Sequence, residues 1–288
     1  MDLIYHLLTM SGIYVILTLS LNLTVGYAGL FNLGQGAFFG IGAYTAALLS
    51  IKLGFPFLIE IPTTALVTGL LGMIIGVPAL RLSGDYLALA TFGLGVIVYT
   101  ILNNWISFTG GPMGIPGIPR PTIFTLSFNS SASYMLLVTV FALLIIVFMN
   151  RLTRSAFGRV LLAIREDETA TLAIGKNTSK FKILAFLVCA FIAGIAGSLY
   201  AHYISFVDPS SFTTAESFLI FSMVVFGGME SIPGSILGAT TLILFPESLR
   251  LLGIPTFYAA QIRKMLYGLL LVIIILKRPQ GLWGKYPF

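Results

Sequence analysis

The sequence predicts an all-α polytopic membrane protein of about nine transmembrane segments, and three observations carry that prediction. Apolar runs of membrane-spanning length recur along nearly the whole chain, charge is scarce, and much of the charge gathers in one island between two such runs. Hydrophobic residues make up 57% of the 288 and charged residues only 9%, with a mean hydropathy of +1.00; soluble domains carry about 25% charge. Such a chain is a single integral membrane domain, residues 1–288, with its hydrocarbon-facing surface solvated by lipid.

The island runs from Arg151 to Lys182 and holds seven of the sixteen basic residues, together with Glu166, Asp167 and Glu168 side by side. Basic loops resist translocation, so it reads as a cytoplasmic loop. Ten of the sixteen basic residues lie in this loop or at Lys277, Arg278 and Lys285. The net charge of +6 is therefore a topology signal, and nucleic acid is excluded as a partner. A single Cys189 and two isolated histidines, His6 and His202, give neither a disulfide framework nor a metal-ligand cluster. No metal or cofactor is expected, and both histidines read as interfacial.

In chain order, Leu3 to Leu23 predicts a first span, retained because it lacks a basic leader and a cleavage site. The run VGYAGLFNLGQGAFFGIGAYTAALL follows, with glycines at 26, 29, 34, 36, 40 and 42 and with Asn32 and Gln35 among them. It is either a broken helix lining a polar cavity or a site of close packing through small residues; both place it inside the protein. Phe57 to Leu80 and Tyr86 to Leu102 predict the next two spans, joined by a short turn at Arg81 to Asp85. The segment from Asn103 to Ser133 is rich in Gly, Pro and Ser and reads as an exterior loop, with Trp105 near the interface.

Tyr134 to Met149 enters the charged island and Ile183 to Tyr203 leaves it. Ser217 to Gly228, Ile236 to Leu252 and Met265 to Leu276 complete nine crossings, or seven if the first of these pairs with Ile236 onward as a re-entrant element. Counting from the central loop puts the N-terminus outside and the basic C-terminus in the cytoplasm. Arg250, Arg263 and Lys264 then lie outside, against the usual bias. A second glycine-broken stretch, FSMVVFGGMESIPGSILGA, answers the first one, and matched interruptions in two halves point to an inverted repeat with the route between them.

Several chemistries are missing. Gly175-Lys176 lacks both the first glycine and the Ser or Thr of a phosphate loop, so no ATPase site is expected in this chain. H-E-x-x-H and G-x-S-x-G are absent, which leaves no common signature of an intramembrane protease or esterase. The acids outside the island sit near predicted ends or breaks, so no deep proton relay is expected. Glu216 opens a helix beside Thr213 and Thr214, either as an acid favoured by the helix dipole or as part of a route. Within the island, Ser155 to Ile174 predicts one amphipathic helix stopped by Gly175, lying on the membrane surface or docking onto a partner's charged groove.

The stretches LNLTVGYAGLFNLGQGAFFGIGAYTAALL, LRLSGDYLALATFGLGVI, TGGPMGIPGI, GRVLLAIREDETATLAIGKNTSKFKILAF and VFGGMESIPGSILGA resemble the inner-membrane permeases of branched-chain amino acid ABC importers, the LivM-type family. The resemblance implies a heterodimer with a second permease of the same fold, two cytoplasmic ATPase subunits and an external solute-binding protein. It implies inward transport of branched-chain or similar neutral amino acids, with related permeases serving urea and short amides. It also makes Arg159, Arg165, Glu166, Asp167, Glu168 and Gly175 the ATPase-coupling element. The family pattern E-A-A-x-x-x-G falls on Thr169, Ala170, Thr171 and Gly175, so its Glu and second Ala are replaced and Glu168 stands one residue early. An ion-coupled secondary transporter is the competing reading, with only half-helix carbonyl sites to hold an ion. Asn22, Asn32, Gly34, Gln35, Gly36 and Glu216 are the candidate substrate route: a zwitterion leaving water needs donors and acceptors, and helix breaks supply both.

Overall fold

The computed structural model describes residues 2–82, 84–123 and 126–251 and, beyond them, 265, 268–269, 272, 276–277 and 280–284. The described chain is almost wholly helical: α1 (Asp2–Asn22), α2 (Gln35–Lys52), α3 (Phe57–Ala79), α4 (Asp85–Asn104), α5 (Ile106–Thr109), α6 (Ser131–Arg154), α7 (Ala156–Glu166), α8 (Glu168–Ala173), α9 (Thr178–Ile204), α10 (Thr214–Gly227) and α11 (Ile232–Leu251). Five stretches among the described residues are long and apolar enough to cross a membrane, namely Asp2–Tyr27, α3, α4, α6 and α9. Four two-residue strands pair as two small ribbons, β1 (Ile115–Pro116) with β4 (Phe206–Val207), and β2 (Thr122–Ile123) with β3 (Leu126–Ser127).

Long-range contacts fix which helix ends lie together. At one end, His6 of α1 meets the Tyr203 hydroxyl near the end of α9 at 2.8 Å. At the other end, Arg165 of α7 donates to the Gly26 carbonyl just beyond α1. The start of α1 is therefore opposite the charged loop. Lys52, closing α2, lies over the Phe108 ring of the loop after α4, 5.0 Å from its centroid, so that loop is also at the far end. Leu282 and Trp283 donate to the carbonyls of Phe226 and Gly227, which brings residues 280–284 back to the charged-loop end.

α1 loosens into a π-turn over Leu23–Tyr27 and the chain then runs without helix from 28 to 34. α2 starts beside Ser20 and Leu17 of α1, since the Gln35 amide reaches their oxygens at 2.5 and 3.4 Å. After α9 the chain turns back through Ser205, in the left-handed region at φ 58°, and descends through a 3-10 turn at Pro209–Phe212 before α10 begins. The two units are inverted. α1 and α9 run in opposite directions, each is followed by a return without α-helix, and α2 and α10 both start inside the protein and leave toward opposite ends. The stretch from 205 to 227 is thus a traverse rather than a hairpin. The break matching 28–34 is 205–213, which contains no glycine. The expected second break, GGMESIPG, is instead the tight turn from α10 to α11.

Small residues let the helices approach closely, which matters in lipid because burial of apolar surface gives no drive to association there. A β-carbon on Gly42 would lie 2.6 Å from the Gly194 Cα, and one on Gly197 would lie 2.5 Å from the Phe39 carbonyl, so α2 and α9 touch backbone to backbone. Gly72 and Gly76 of α3 face Ala190 and Phe186 of α9 in the same way. Phe39, Tyr200 and Phe212 close an edge-to-face aromatic cluster that seats the second return against α2.

Two expectations change. The helix predicted for Ser155 to Ile174 is two, α7 and α8, and α9 starts separately, because polar side chains cap each start: Ser155 accepts from the Phe157 N–H, Asp167 from Ala170, and Asn177 from Lys180. Asp167 is extended (φ −154°, ψ 106°), and this cuts the predicted Ser155 to Ile174 helix in two. His202 is not interfacial: it is 2% exposed, its Nε2 is 3.0 Å from the Glu60 carboxylate and its Nδ1 2.6 Å from the Pro119 carbonyl. Glu60 sits in the first turn of α3 with no exposure, and a buried carboxylate needs donors; Thr64, Ser198 and His202 supply them. Cys189 is buried within α9. Arg263, Lys264 and most of the predicted Met265 to Leu276 span lie outside the described residues.

Candidate functional site

A half-helix that starts inside the protein exposes its first N–H groups where no water reaches them, so something must accept from them. Asn32 turns back to accept from the Gly34 N–H at 2.9 Å, and Thr91 of α4 accepts from Leu33 at 2.9 Å. The Gly36 N–H donates to Ser217 Oγ at 2.8 Å, and Ser217 belongs to the first turn of α10. The starts of α2 and α10 therefore meet directly. Contacts with Tyr14, Leu17 and Ser20 place the meeting against the second half of α1.

Glycine is required here by closeness. A β-carbon on Gly36 would lie 2.9 Å from Ser217 Oγ and 3.0 Å from the Thr213 carbonyl, and one on Gly34 would lie 3.0 Å from the Thr91 carbonyl. Glu216, also in the first turn of α10, accepts from the Tyr14 hydroxyl, and both residues remain partly exposed. Asn32 is fully buried and its amide nitrogen makes no hydrogen bond among the described residues. Gln35 is likewise buried and accepts from the Cys189 thiol at 3.3 Å.

Of the six route candidates, five gather here: Asn32, Gly34, Gln35, Gly36 and Glu216. Asn22 does not. It lies toward the charged-loop end, where its amide donates to Ser235 Oγ at 2.7 Å and its carbonyl oxygen accepts from the Glu230 N–H at 3.1 Å. Tyr14 and Ser217 were missed. Neither stands out in an apolar run, and only the packing of α1 on α10 brings them to the junction.

The coupling candidates also divide. Arg159, Glu166, Asp167 and Gly175 are exposed, and Glu168 is partly so, with Lys182 Nζ 2.5 Å from its carboxylate. Leu172 and Ile174 stand out beside them, 51% and 72% exposed, so the α7–α8 corner offers acids and apolar side chains together. Partial burial pushes the Glu168 carboxyl up, but hydrogen bonds from Lys182 and Thr178 and the Lys182 charge outweigh it and leave it below its ordinary value. Asp167 is also held low, by hydrogen bonds from the Thr169 hydroxyl and the Ala170 N–H.

Arg165 turns inward instead. It donates to the Gly26 carbonyl after α1 and lies 3.7 Å from the Glu230 carboxylate in the α10–α11 turn. One guanidinium thus touches both inverted units. Glu230 has φ 60°, a strained left-handed conformation held by the Asn22 and Tyr27 side chains, which bond its N–H and carbonyl. An acid within a glycine-flanked turn was its only sequence signal.

The family described as branched-chain amino acid transport system, permease component, matches residues 3–275. The high-affinity branched-chain amino acid transport system permease protein LivM of Salmonella typhimurium is 40% identical, over 95% of this chain and 68% of that protein. A probable branched-chain amino acid transport permease protein LivM of Methanocaldococcus jannaschii is 30% identical, over 99% and 94% of the two chains. The LivH permease protein of the Salmonella typhimurium system is 25% identical over 96% of this chain. No solved structure gives a significant match.

Proposed function

The chain belongs to the permease components of branched-chain amino acid transport systems, and from that premise we propose that it carries a branched-chain or similar neutral amino acid inward across the cell membrane, driven by a separate ATPase. The observation that carries this reading is the meeting of two half-helix starts beside a partly exposed carboxylate, against the second half of α1. Helix N-termini favour the carboxylate of a zwitterion and Glu216 favours its ammonium. Asn32 adds a buried amide donor at the same level. The junction is shut by the Gly36–Ser217 hydrogen bond, so passage requires α2 and α10 to part.

Parting is driven from the α7–α8 corner. Its exposed acids and apolar residues suit a cytoplasmic ATPase, and Arg165 relays movement of that corner to both inverted units. The assembly consists of this chain, a second permease of the same family, two ATPases and an external solute-binding protein. The charged loop is then cytoplasmic, the N-terminus outside and the C-terminus inside.

The test is uptake of radiolabelled leucine by the assembled complex with Glu216→Gln. Losing one charge-assisted contact lowers uptake by roughly 10- to 100-fold, while unlabelled leucine competes and urea does not. Near-normal uptake, or competition by urea as strong as by leucine, overturns the reading.

A further inference from the structure

A second polar site lies at the charged-loop end, away from the route. A partly open cavity of about 620 Å³ is bounded by the end of α6, α7, the π-turn, the start of α11 and residues 282–284. That volume is in the range of small-molecule sites. Its lining is mixed in a specific way. Arg154 brings a guanidinium, Glu230 a carboxylate, Asn150 a neutral amide, and Leu162, Leu282 and Trp283 an apolar wall. Those are the complements of an acid group, an ammonium and an apolar side chain.

We propose that this cavity binds a free neutral amino acid from the cytoplasmic side and that its occupancy weakens the coupling loop's hold on the two inverted units. The proposal rests on the transport reading above, since the ligand is the product of that transport. The Glu230 backbone is held at the cavity wall by Asn22 and Tyr27, which bond its N–H and carbonyl, and its carboxylate is the group that Arg165 approaches at 3.7 Å. A ligand ammonium at Glu230 competes with that guanidinium. The apolar wall includes Leu162, one turn before Arg165 on α7, so the ligand's side chain also presses on the coupling helix. Accumulated product thus loosens the Arg165 link between the coupling loop and the two inverted units, and ATP hydrolysis slows. A zwitterionic phospholipid headgroup offers the same ammonium and acid pair, and the test separates the two sources.

The assembled complex is reconstituted with its ATPases facing the bath and with binding protein and leucine in the lumen. Leucine added to the bath is expected to lower hydrolysis saturably, by about threefold or more. Arg154→Gln should raise the half-inhibitory concentration by roughly tenfold, Trp283→Ala should weaken inhibition less, and Arg154→Lys should restore much of it. Equilibrium binding of radiolabelled leucine to the complex without binding protein reads the same site independently of turnover. Hydrolysis insensitive to bath leucine, or equal sensitivity in Arg154→Gln, overturns the proposal. Inhibition that follows the phosphatidylethanolamine content of the bilayer and ignores leucine also overturns it, in favour of a lipid headgroup. Loss of leucine uptake from the lumen, with inhibition by bath leucine intact, counts against the transport reading alone.

Discussion

The two returns at 28–34 and 205–213 do the same topological work with different residues. The first is rich in glycine. Gly29 takes φ 67° and leaves room for Arg165, whose Cγ would lie 2.9 Å from a β-carbon there. The second has none: Ser205 makes the turn at φ 58°, and Asp208 then binds the hydroxyls of Ser210 and Ser211 to fold the descent. The difference follows the neighbours. The first return is pressed by α4 and α7, whereas the second is clamped from the far end by β1 of the outer loop pairing with β4. Glycine therefore marks close approach in this fold rather than the break itself, and each return answers to a different face of the membrane.

The largest effect that tests this comparison is steric. Gly34→Leu with Gly36→Leu wedges α2 from Thr91, Thr213 and Ser217, and leucine uptake should fall by about 100-fold or more while the complex still assembles. Gly197→Leu strikes backbone across the α2–α9 contact and Gly194→Leu strikes Thr68 of α3, where overpacking costs about 1–3 kcal/mol or more, and the pair should reduce assembled complex instead. Size-exclusion yield and uptake together separate the two. Near-normal uptake in the first pair would show that glycine at the junction is a packing residue only.

A middling effect is expected at the relay between the returns. Arg165→Gln and Glu230→Gln should each lower transport-stimulated hydrolysis by roughly 10-fold, with a double-mutant coupling of about 1–2 kcal/mol. Strict additivity would mean that Arg165 acts through Gly26 alone. The smallest effect concerns the capped corner. Because the Asp167 and Glu168 carboxyls are held below their ordinary values, the order they lend α8 is fully present above the normal carboxylate range. It is lost as pH falls through their lowered values, and hydrogen exchange at Thr171 to Ala173 should rise there. Asp167→Asn, which keeps a capping oxygen, should flatten that pH dependence without melting α8 at neutral pH.

The membrane class, the order of the long apolar helices, the charged loop and the interior position of the first glycine run could all be read from the sequence, because they depend on hydropathy and charge counted along the chain. Five route candidates converge for the same reason: polar and glycine residues in an apolar run have to be buried against something. Other features were decided only by tertiary structure. The second return has no glycine to announce it, and its partner in the repeat is recognised by direction rather than by composition. His202 and Glu60 sit far apart in sequence and look like end residues until α3 packs on α9. Arg165 shares its helix with exposed Arg159 and Glu166, and nothing local distinguishes them. Its inward turn is set by the Gly26 carbonyl left open after α1 and by the Glu230 carboxylate, groups that only the folded chain brings within its reach.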